Sequence, residues 1–164
     1  MTEYLIHPLE PVYAQNSKIL MLGTFPSPQS RKQEFYYGIP QNRFWRVLAE
    51  VLSCPVPQGK EEKRAFLYAH RIALWDVLYS CDIKGASDTS IRNPVPNNLR
   101  KVLEKTEIAA VFLTGKKAAM LYERFQKQDC ALPYYCLPSP SPANCAVGME
   151  QLIVAYRAIL PYLS

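Results

Sequence analysis

Short, continuous apolar runs punctuate this chain, and each is followed by a turn or a polar segment. Such runs occupy residues 17–23, 72–77 and 108–113, and a shorter one at residues 134–137 leads into Pro138. Continuous apolar runs of this length are typical of strands that are buried on both faces of a parallel sheet. The pattern therefore predicts four buried strands.

Between these runs, apolar residues recur at the three-and-four spacing of amphipathic helices. The predicted helices lie near residues 42–51, 59–70, 97–103, 116–126 and 149–160. Strands that alternate with helices in this order indicate βαβ units. We predict an α/β fold with a central, mostly parallel four-stranded sheet.

The ligand crevice of such a sheet lies outside the carboxyl ends of its strands. The segments that leave those ends are residues 23–27, Asp76 with its continuation, residues 114–117 and residues 137–142. We expect the chemistry of the protein to come from these segments.

The amino-acid composition is that of an ordinary globular protein. The chain has 164 residues, of which 49% are hydrophobic and 20% charged, and we predict one globular domain over residues 1–164. No apolar run approaches the roughly 20 residues that a membrane span needs, so we expect a soluble, cytoplasmic protein without membrane contact. The net charge of +5 permits a polyanionic partner, but it is weak evidence for one.

Several classes of site lack their usual residues. The five cysteines never form Cys-x-x-Cys, and we expect no metal and no cofactor. His7 and His70 lie outside every predicted strand end, and we interpret both as structural or surface residues. Without a usable histidine, a Gly-x-Ser-x-Gly motif or an acidic cluster, serine-type and metal-assisted hydrolysis both lose support.

An aromatic connection, FYYGIPQNRFW, follows the first turn. Phe44 and Trp45 fit a helix that packs into the core, with Asn42 as its N-cap. Tyr36 and Tyr37 fit the core less well, because they lie beside Gly and Pro in a long connection. Such rings are suitable platforms for a nucleobase.

Two further segments admit either a structural or a functional interpretation. The alternating prolines of residues 138–142 form either a surface linker or a stiff protrusion that enters a DNA groove. Lys116 and Lys117, which follow Thr114 and Gly115, are either solvated residues or phosphate ligands at a helix N-terminus.

Taken in order, the stretches LGTFPS, FYYGIPQNRFW, LWDV, LTGKKA and LPSPSPA resemble the uracil-DNA glycosylase superfamily from about residue 17 to the last helix. The branch that they resemble most is that of the hypoxanthine-DNA glycosylases. The resemblance implies a three-layer αβα domain that flips a deaminated base out of double-stranded DNA and hydrolyses its N-glycosidic bond. Mismatch-specific uracil glycosylases share the stretch around NRFW and are the alternative within the superfamily.

The resemblance also implies roles for single residues. Two places where many members carry a catalytic residue hold Phe25 and Leu137 here. In the hypoxanthine branch the Asn of NRFW is catalytic instead, which matches Asn42, and this amide would orient the attacking water. Tyr37 would stack on the flipped base. Asp76 would accept the ring N–H that deamination creates, unless it is a helix cap or part of an ion pair.

The remaining implied contacts are to the base and to the DNA backbone. Backbone N–H groups around Gly23, Thr24 and Phe25 would hold a carbonyl oxygen of the base. The residues expected to contact DNA are Ser27, Ser30, Arg31, Lys116, Lys117, Pro138, Ser139, Pro140 and Ser141. We expect a monomer.

Two alternatives come from other classes of protein. A nucleic-acid-binding module could keep the fold and the basic surface but cleave nothing, since Phe25 and Leu137 replace the usual Asp and His. A small-molecule α/β enzyme would need a cofactor fingerprint, which the sequence does not contain.

Overall fold

The computed structural model of the chain describes residues 2–164 and contains two β-sheets with helices packed around them. The strands, in chain order, are β1 (Glu3–Ile6), β2 (Ile19–Gly23), β3 (Ile72–Asp76), β4 (Leu78–Lys84), β5 (Ser87–Pro96), β6 (Ala110–Thr114) and β7 (Tyr134–Leu137). The helices are α1 (Pro28–Gln33), α2 (Phe44–Val51), α3 (Gly59–Ala69), α4 (Arg100–Leu103), α5 (Lys116–Phe125), α6 (Met149–Tyr156) and α7 (Leu160–Leu163).

The main sheet is parallel, with the strand order β3-β2-β6-β7. Its strands are the four apolar runs of the sequence, and β2, β3 and β6 are buried at every position. Helix α3 packs against β3 and α5 against β6, while α2 packs against α6. The predicted three-layer α/β fold with a four-stranded parallel sheet is confirmed.

The helices follow the predicted pattern with three differences. The helix predicted near residues 97–103 is a single turn, α4, which begins at Arg100. Helix α1 was not predicted, because its six residues carry no amphipathic repeat. The predicted last helix is divided by a 3₁₀ turn at Arg157–Ile159 into α6 and α7. Within residues 2–164, no helix has both the length and the apolar character needed to cross a membrane.

A second, antiparallel sheet in the order β1-β4-β5 was not predicted. Strand β1 is mostly exposed, and β5 buries only Ile91 fully, so neither contains a continuous apolar run. Such solvent-facing strands leave only a weak signal in the sequence. Strand β4 begins at Leu78, two residues after Asp76, so the second sheet starts at the carboxyl edge of the main sheet.

The aromatic connection before α2 contributes to the core. Phe44 and Trp45 are buried, as predicted. Tyr36 is also buried, with 2% of its surface exposed, and its hydroxyl donates to the carbonyl of Glu10 at 2.8 Å. The expectation that Tyr36 fits the core poorly was wrong, because this carbonyl satisfies its one polar group.

Candidate active site

Polar side chains gather over Gly23, the last residue of β2. Strands β3 and β6 flank β2, and they end at Asp76 and Thr114. A Cβ atom built on Gly23 would lie 2.7 Å from Asp76 Oδ1, 2.9 Å from Tyr37 Oη and 3.5 Å from Thr114 Oγ1. Only glycine leaves room for these three oxygens. We call Gly23, Tyr37, Asp76 and Thr114 the Gly23 cluster.

Asp76 is buried and is held on one side by a histidine. Its Oδ2 lies 2.8 Å from His7 Nε2. The backbone N–H of Leu9 donates to His7 Nδ1 at 3.2 Å, so Nδ1 carries a lone pair and the ring proton is on Nε2, which donates to Asp76. This contact occupies Oδ2 and leaves Oδ1 directed at Gly23.

The position of His7 corrects its interpretation as a residue away from the strand ends. Its side chain is 2% exposed and contacts the carboxyl end of β3. Strand β1 pairs with β4, with Ile6 opposite Ser80, and the N–H of His7 donates to the carbonyl of Tyr79. Because β1 was not predicted, the sequence offered no signal that would bring His7 to Asp76.

Tyr37 closes the Gly23 cluster from the other side. Its ring stacks on Phe44 with centroids 3.8 Å apart, and its hydroxyl lies 2.8 Å from Thr114 Oγ1. Burial, and then the nearby Asp76 carboxylate, raise the pKa of the Tyr37 hydroxyl far above its ordinary value, so the hydroxyl keeps its proton. Since Thr114 Oγ1 donates to the carbonyl of Leu22 at 3.3 Å, Tyr37 is the donor to Thr114.

The backbone of Tyr37 is unusual, with φ at +53°. The left-handed conformation costs a residue with a side chain roughly 1–2 kcal/mol. Such outliers persist where the surrounding contacts determine them, and they cluster at functional sites. Here the stack on Phe44 and the bond to Thr114 hold the conformation.

Asn42 lies at the start of α2. Its Oδ1 accepts the backbone N–H of Phe44, two residues on, at 2.9 Å, which forms an Asx-turn that leads into the helix. Its Nδ2 donates to no other residue within 2–164. The N-cap position of α2 is Arg43, so the prediction that Asn42 is itself the N-cap is corrected: Asn42 stands one residue earlier, and its amide N–H group remains free. Through Phe44, which stacks on Tyr37, it is connected to the Gly23 cluster.

The turn after β2 presents free backbone donors. The carbonyls of Gly23 and Thr24 accept the N–H groups of Val77 and Leu78 at 2.8 and 3.1 Å. The N–H groups of Thr24 and Phe25 donate to no partner in the described part of the chain. Beside the Gly23 cluster, the turn therefore offers two adjacent donors.

A second carboxylate reaches this edge from the β4–β5 hairpin. Asp88 Oδ2 lies 3.4 Å from Thr24 Oγ1. Loss of hydration raises the pKa of the Asp88 carboxyl although the residue as a whole is exposed, while Thr24 and Lys117 act in the opposite direction. Asp88 could not be placed at this edge from the sequence, because the hairpin was not predicted. Within residues 2–164, no three His, Cys, Asp or Glu side chains group closely enough to hold a metal ion.

Of the expected DNA contacts on α1, one is buried. Ser30 is 2% exposed, and its Oγ accepts the N–H of Gly38 at 2.9 Å. It fixes the connection and cannot reach a phosphate, which corrects the expectation. Ser27 is half-buried and caps α1 by accepting the N–H of Ser30. Arg31 donates to the carbonyl of Pro26 at 3.2 Å and lines an open cavity of about 420 Å³ outside the Gly23 cluster.

The two expected contacts on α5 lie at its first turn. Lys116 is exposed and Lys117 half-buried. Gly115, before them, has φ at +119°, and a Cβ there would lie 3.2 Å from Ser139 Cβ. A side chain there would strain the backbone and press on Ser139, because the segment after β7 packs directly against the start of α5.

The proline-rich segment after β7 is only partly a protrusion. Pro138, Ser139 and Ser141 are half-buried, and Pro142 is exposed. Pro140 is buried, so its ring cannot enter a DNA groove, and the expectation is corrected for this residue. The exposed part of the segment lies at the same edge of the sheet as the Gly23 cluster.

Helices around a parallel sheet, with a polar cluster outside its carboxyl edge, define a three-layer α/β protein of the class that binds ligands at that edge. The sequence model of the Uracil DNA glycosylase superfamily matches residues 10–159. The chain belongs to this superfamily.

Individual relatives agree with this assignment. A protein of Methanosarcina acetivorans named hypoxanthine DNA glycosylase is 31% identical over 81% of this chain and 84% of its own length. One of Methanosarcina barkeri with the same name is 31% identical over 66% of this chain and 70% of its own length. The solution NMR structure of a candidate uracil DNA glycosylase from M. acetivorans has a TM-score of 0.77 at 27% identity, covering 93% of this chain and 96% of that one. The family match and the names of the relatives support a DNA glycosylase role.

Proposed function

We propose that this protein is a monofunctional DNA glycosylase that excises deaminated bases, chiefly hypoxanthine, from double-stranded DNA. The observation that carries the proposal is the buried Asp76 carboxylate, whose Oδ2 is occupied by His7 and whose Oδ1 faces Gly23 beside the Tyr37 hydroxyl. The names of the two Methanosarcina relatives support the same substrate.

Asp76 determines the base specificity of the site. Hypoxanthine has an N1–H donor and an O6 acceptor, whereas adenine has an unprotonated N1 and an amino group. Asp76 Oδ1 accepts N1–H, and the free N–H groups of Thr24 and Phe25 donate to O6. Adenine would leave the buried carboxylate oxygen unpaired, so the site rejects it. Guanine shares N1–H, and its 2-amino group and its stronger pairing must exclude it.

Tyr37 and Asn42 act on the flipped nucleotide. Tyr37 stacks on the base, and the free amide of Asn42 orients a water molecule toward C1′. The C1′–N9 bond breaks, and its electron pair leaves with the base. The water oxygen bonds to C1′, and its proton passes to solvent. An amide is not a strong base, but an oxocarbenium-like sugar needs only a positioned water.

The N–H groups of Thr24 and Phe25 also help the departure of the base. Negative charge develops on the leaving purine and its O6, and prearranged donors stabilise such charge in a site from which water is excluded. Their contribution increases as the bond breaks, so they assist catalysis as well as binding.

The proposal is tested with four duplexes that differ in one base: hypoxanthine, xanthine, uracil or adenine. Single-turnover release is measured as strand cleavage after alkali treatment. We expect hypoxanthine to be released fastest, xanthine and uracil more slowly, and adenine not detectably. If uracil is released faster than hypoxanthine, the protein is a mismatch-specific uracil glycosylase. If it binds these duplexes and releases nothing, it is a non-catalytic binding module.

The same panel tests the role of Asp76. In Asp76→Asn the amide accepts but also donates, so the preference for hypoxanthine over adenine, whose N1 is an acceptor, should narrow. The control is Asp82→Asn on β4, whose carboxylate binds Asn93 away from the cluster. Unchanged ratios in Asp76→Asn would show that Asp76 does not read the base.

A further inference from the structure

Arg43 binds the segment that follows β7. Its guanidinium donates to backbone carbonyls of residues 140–147, which we call the carbonyl loop. The bonds are Nη1 to Val147 at 2.5 Å, Nη2 to Ser141 at 3.1 Å and to Asn144 at 3.2 Å, and Nε to Pro140 at 3.5 Å. The backbone N–H of Arg43 also donates to the carbonyl of Pro140 at 3.1 Å.

The carbonyl loop is folded so that these oxygens converge. The N–H of Asn144 donates to the carbonyl of Ser141 at 3.0 Å, and the N–H of Val147 donates to that of Asn144 at 3.2 Å. The side chain of Asn144 donates to the carbonyl of Ser139 at 3.0 Å. Two successive turns thus direct their carbonyls to one place, where the guanidinium lies.

Only arginine suits this arrangement. A guanidinium has five N–H donors in a fixed plane, and it reaches four carbonyls of residues 140–147 here. A lysine has three donors on a single nitrogen and cannot span the same set.

The neighbours of Arg43 in sequence are connected to the candidate active site. Phe44 follows it and stacks on Tyr37, while Asn42 precedes it and bonds to the backbone N–H of Phe44. Three consecutive residues therefore hold the catalytic amide, the carbonyl loop and the aromatic platform.

We propose that Arg43 is a positioning residue, which fixes the carbonyl loop so that its exposed part meets duplex DNA while Asn42 faces the flipped nucleotide. This inference rests on the proposed function. Pro142, at the exposed part of the loop, is suited to fill the space that a flipped base leaves in the stack. A loop that is ordered before binding loses less entropy when it inserts. Single strands have no stacked partner to displace, so they need this loop much less.

The test compares Arg43→Lys with the wild type on a hypoxanthine duplex and on the same single strand. Arg46→Lys is the matched control, because Arg46 is exposed on the next turn of α2. We expect the single-turnover rate of Arg43→Lys to fall at least about tenfold on the duplex, which corresponds to about 1.4 kcal/mol. On the single strand it should change by less than about threefold, and Arg46→Lys should match the wild type on both.

A second variant separates loop order from the stability of α2. Asn144→Ala removes the bond to Ser139 without touching α2, and it should produce the same duplex-selective loss at smaller size. Equal losses on duplex and single strand for Arg43→Lys, or no loss on the duplex, would overturn the proposal.

Hydrogen exchange without DNA gives a readout independent of activity. The amides of Asn144 and Val147 should exchange at least about tenfold faster in Arg43→Lys than in the wild type, since the loop opens more often. Unchanged exchange would contradict the role of Arg43. A wild-type protein that releases no base would instead refute the proposed function, so the two failures are distinguishable.

Discussion

Truncation of Tyr37 separates its packing from its proposed stacking on the base. The ring contacts Phe44 at 3.8 Å and the hydroxyl contacts Thr114 at 2.8 Å. Tyr37→Phe removes only the hydroxyl, and Tyr37→Ala removes the ring as well. The two variants therefore test different contacts of one residue.

The structure sets the size of both effects. In Tyr37→Phe, Thr114 keeps its bond to Leu22, so no buried group is orphaned and the loss in unfolding free energy is about 0.5–1.5 kcal/mol. For a chain of this length that is a fall in Tm of roughly 1–6 °C. Tyr37→Ala also loses the stacking of a half-buried ring, so its total loss in unfolding free energy is about 2–4 kcal/mol. Only Tyr37→Ala loses base stacking, which contributes ~1–3 kcal/mol, so this variant alone should release the base roughly 5- to 150-fold more slowly.

Thermal melts and single-turnover release on a hypoxanthine duplex, well below every Tm, measure the two quantities. Tyr36→Phe is the matched control, because it removes a buried hydroxyl that bonds to Glu10 outside the cluster. It should lose similar stability and keep its rate. Tyr37 does not stack on the base if Tyr37→Ala melts early but releases the base at the wild-type rate, or if Tyr37→Phe is as slow as Tyr37→Ala.

Three other changes have definite expected outcomes. Gly23→Ala places a Cβ 2.7 Å from Asp76 Oδ1, so single-turnover base release should be abolished, and the free energy of unfolding from thermal melts should fall by roughly 1–3 kcal/mol. Base release at the wild-type rate would contradict the close packing at Gly23. Folding raises the pKa of the Asp88 carboxyl, so its charged form destabilises the fold, and Asp88→Asn should raise Tm at pH 7. This gain in Tm should shrink as pH falls through the raised pKa and vanish below the pKa of the unfolded chain. A gain in Tm that does not vary with pH would argue against burial as its cause. Shortening residues 138–142 should slow release from duplexes far more than from single strands, and equal slowing would exclude a role in opening the duplex.

The sequence predicts the main sheet well because its strands are buried on both faces. Burial leaves a continuous apolar run, which is visible without any partner, and Asp76 could be placed at the end of one such run. The same reasoning fails for β1 and β5, which face solvent and whose pairing is non-local. His7 directly follows β1 and Asp88 lies in β5, so neither could be placed at the site from the local sequence pattern.

Partners outside the local sequence also decide whether a side chain lies in the core, at the site or on the surface. Tyr36 is in the core because the carbonyl of Glu10 accepts its hydroxyl. Tyr37 is at the site because its left-handed backbone turns its side chain toward Thr114. Ser30 looks like a surface residue of a short helix, but Gly38 occupies its hydroxyl. Each of these outcomes depends on a partner that only the folded chain supplies.

Asn42 provides the most direct test of the account, because one change can remove its amide and keep its structural role. Asn42→Ser retains a side-chain oxygen that can accept the N–H of Phe44, two residues on, so its Tm should stay close to that of the wild type. We predict that its single-turnover release of hypoxanthine from duplex DNA falls by roughly 10²-fold or more, as for the loss of one positioned catalytic group, with DNA binding unchanged. Wild-type release by this variant would show that Asn42 only supports the turn before α2 and would contradict its catalytic role.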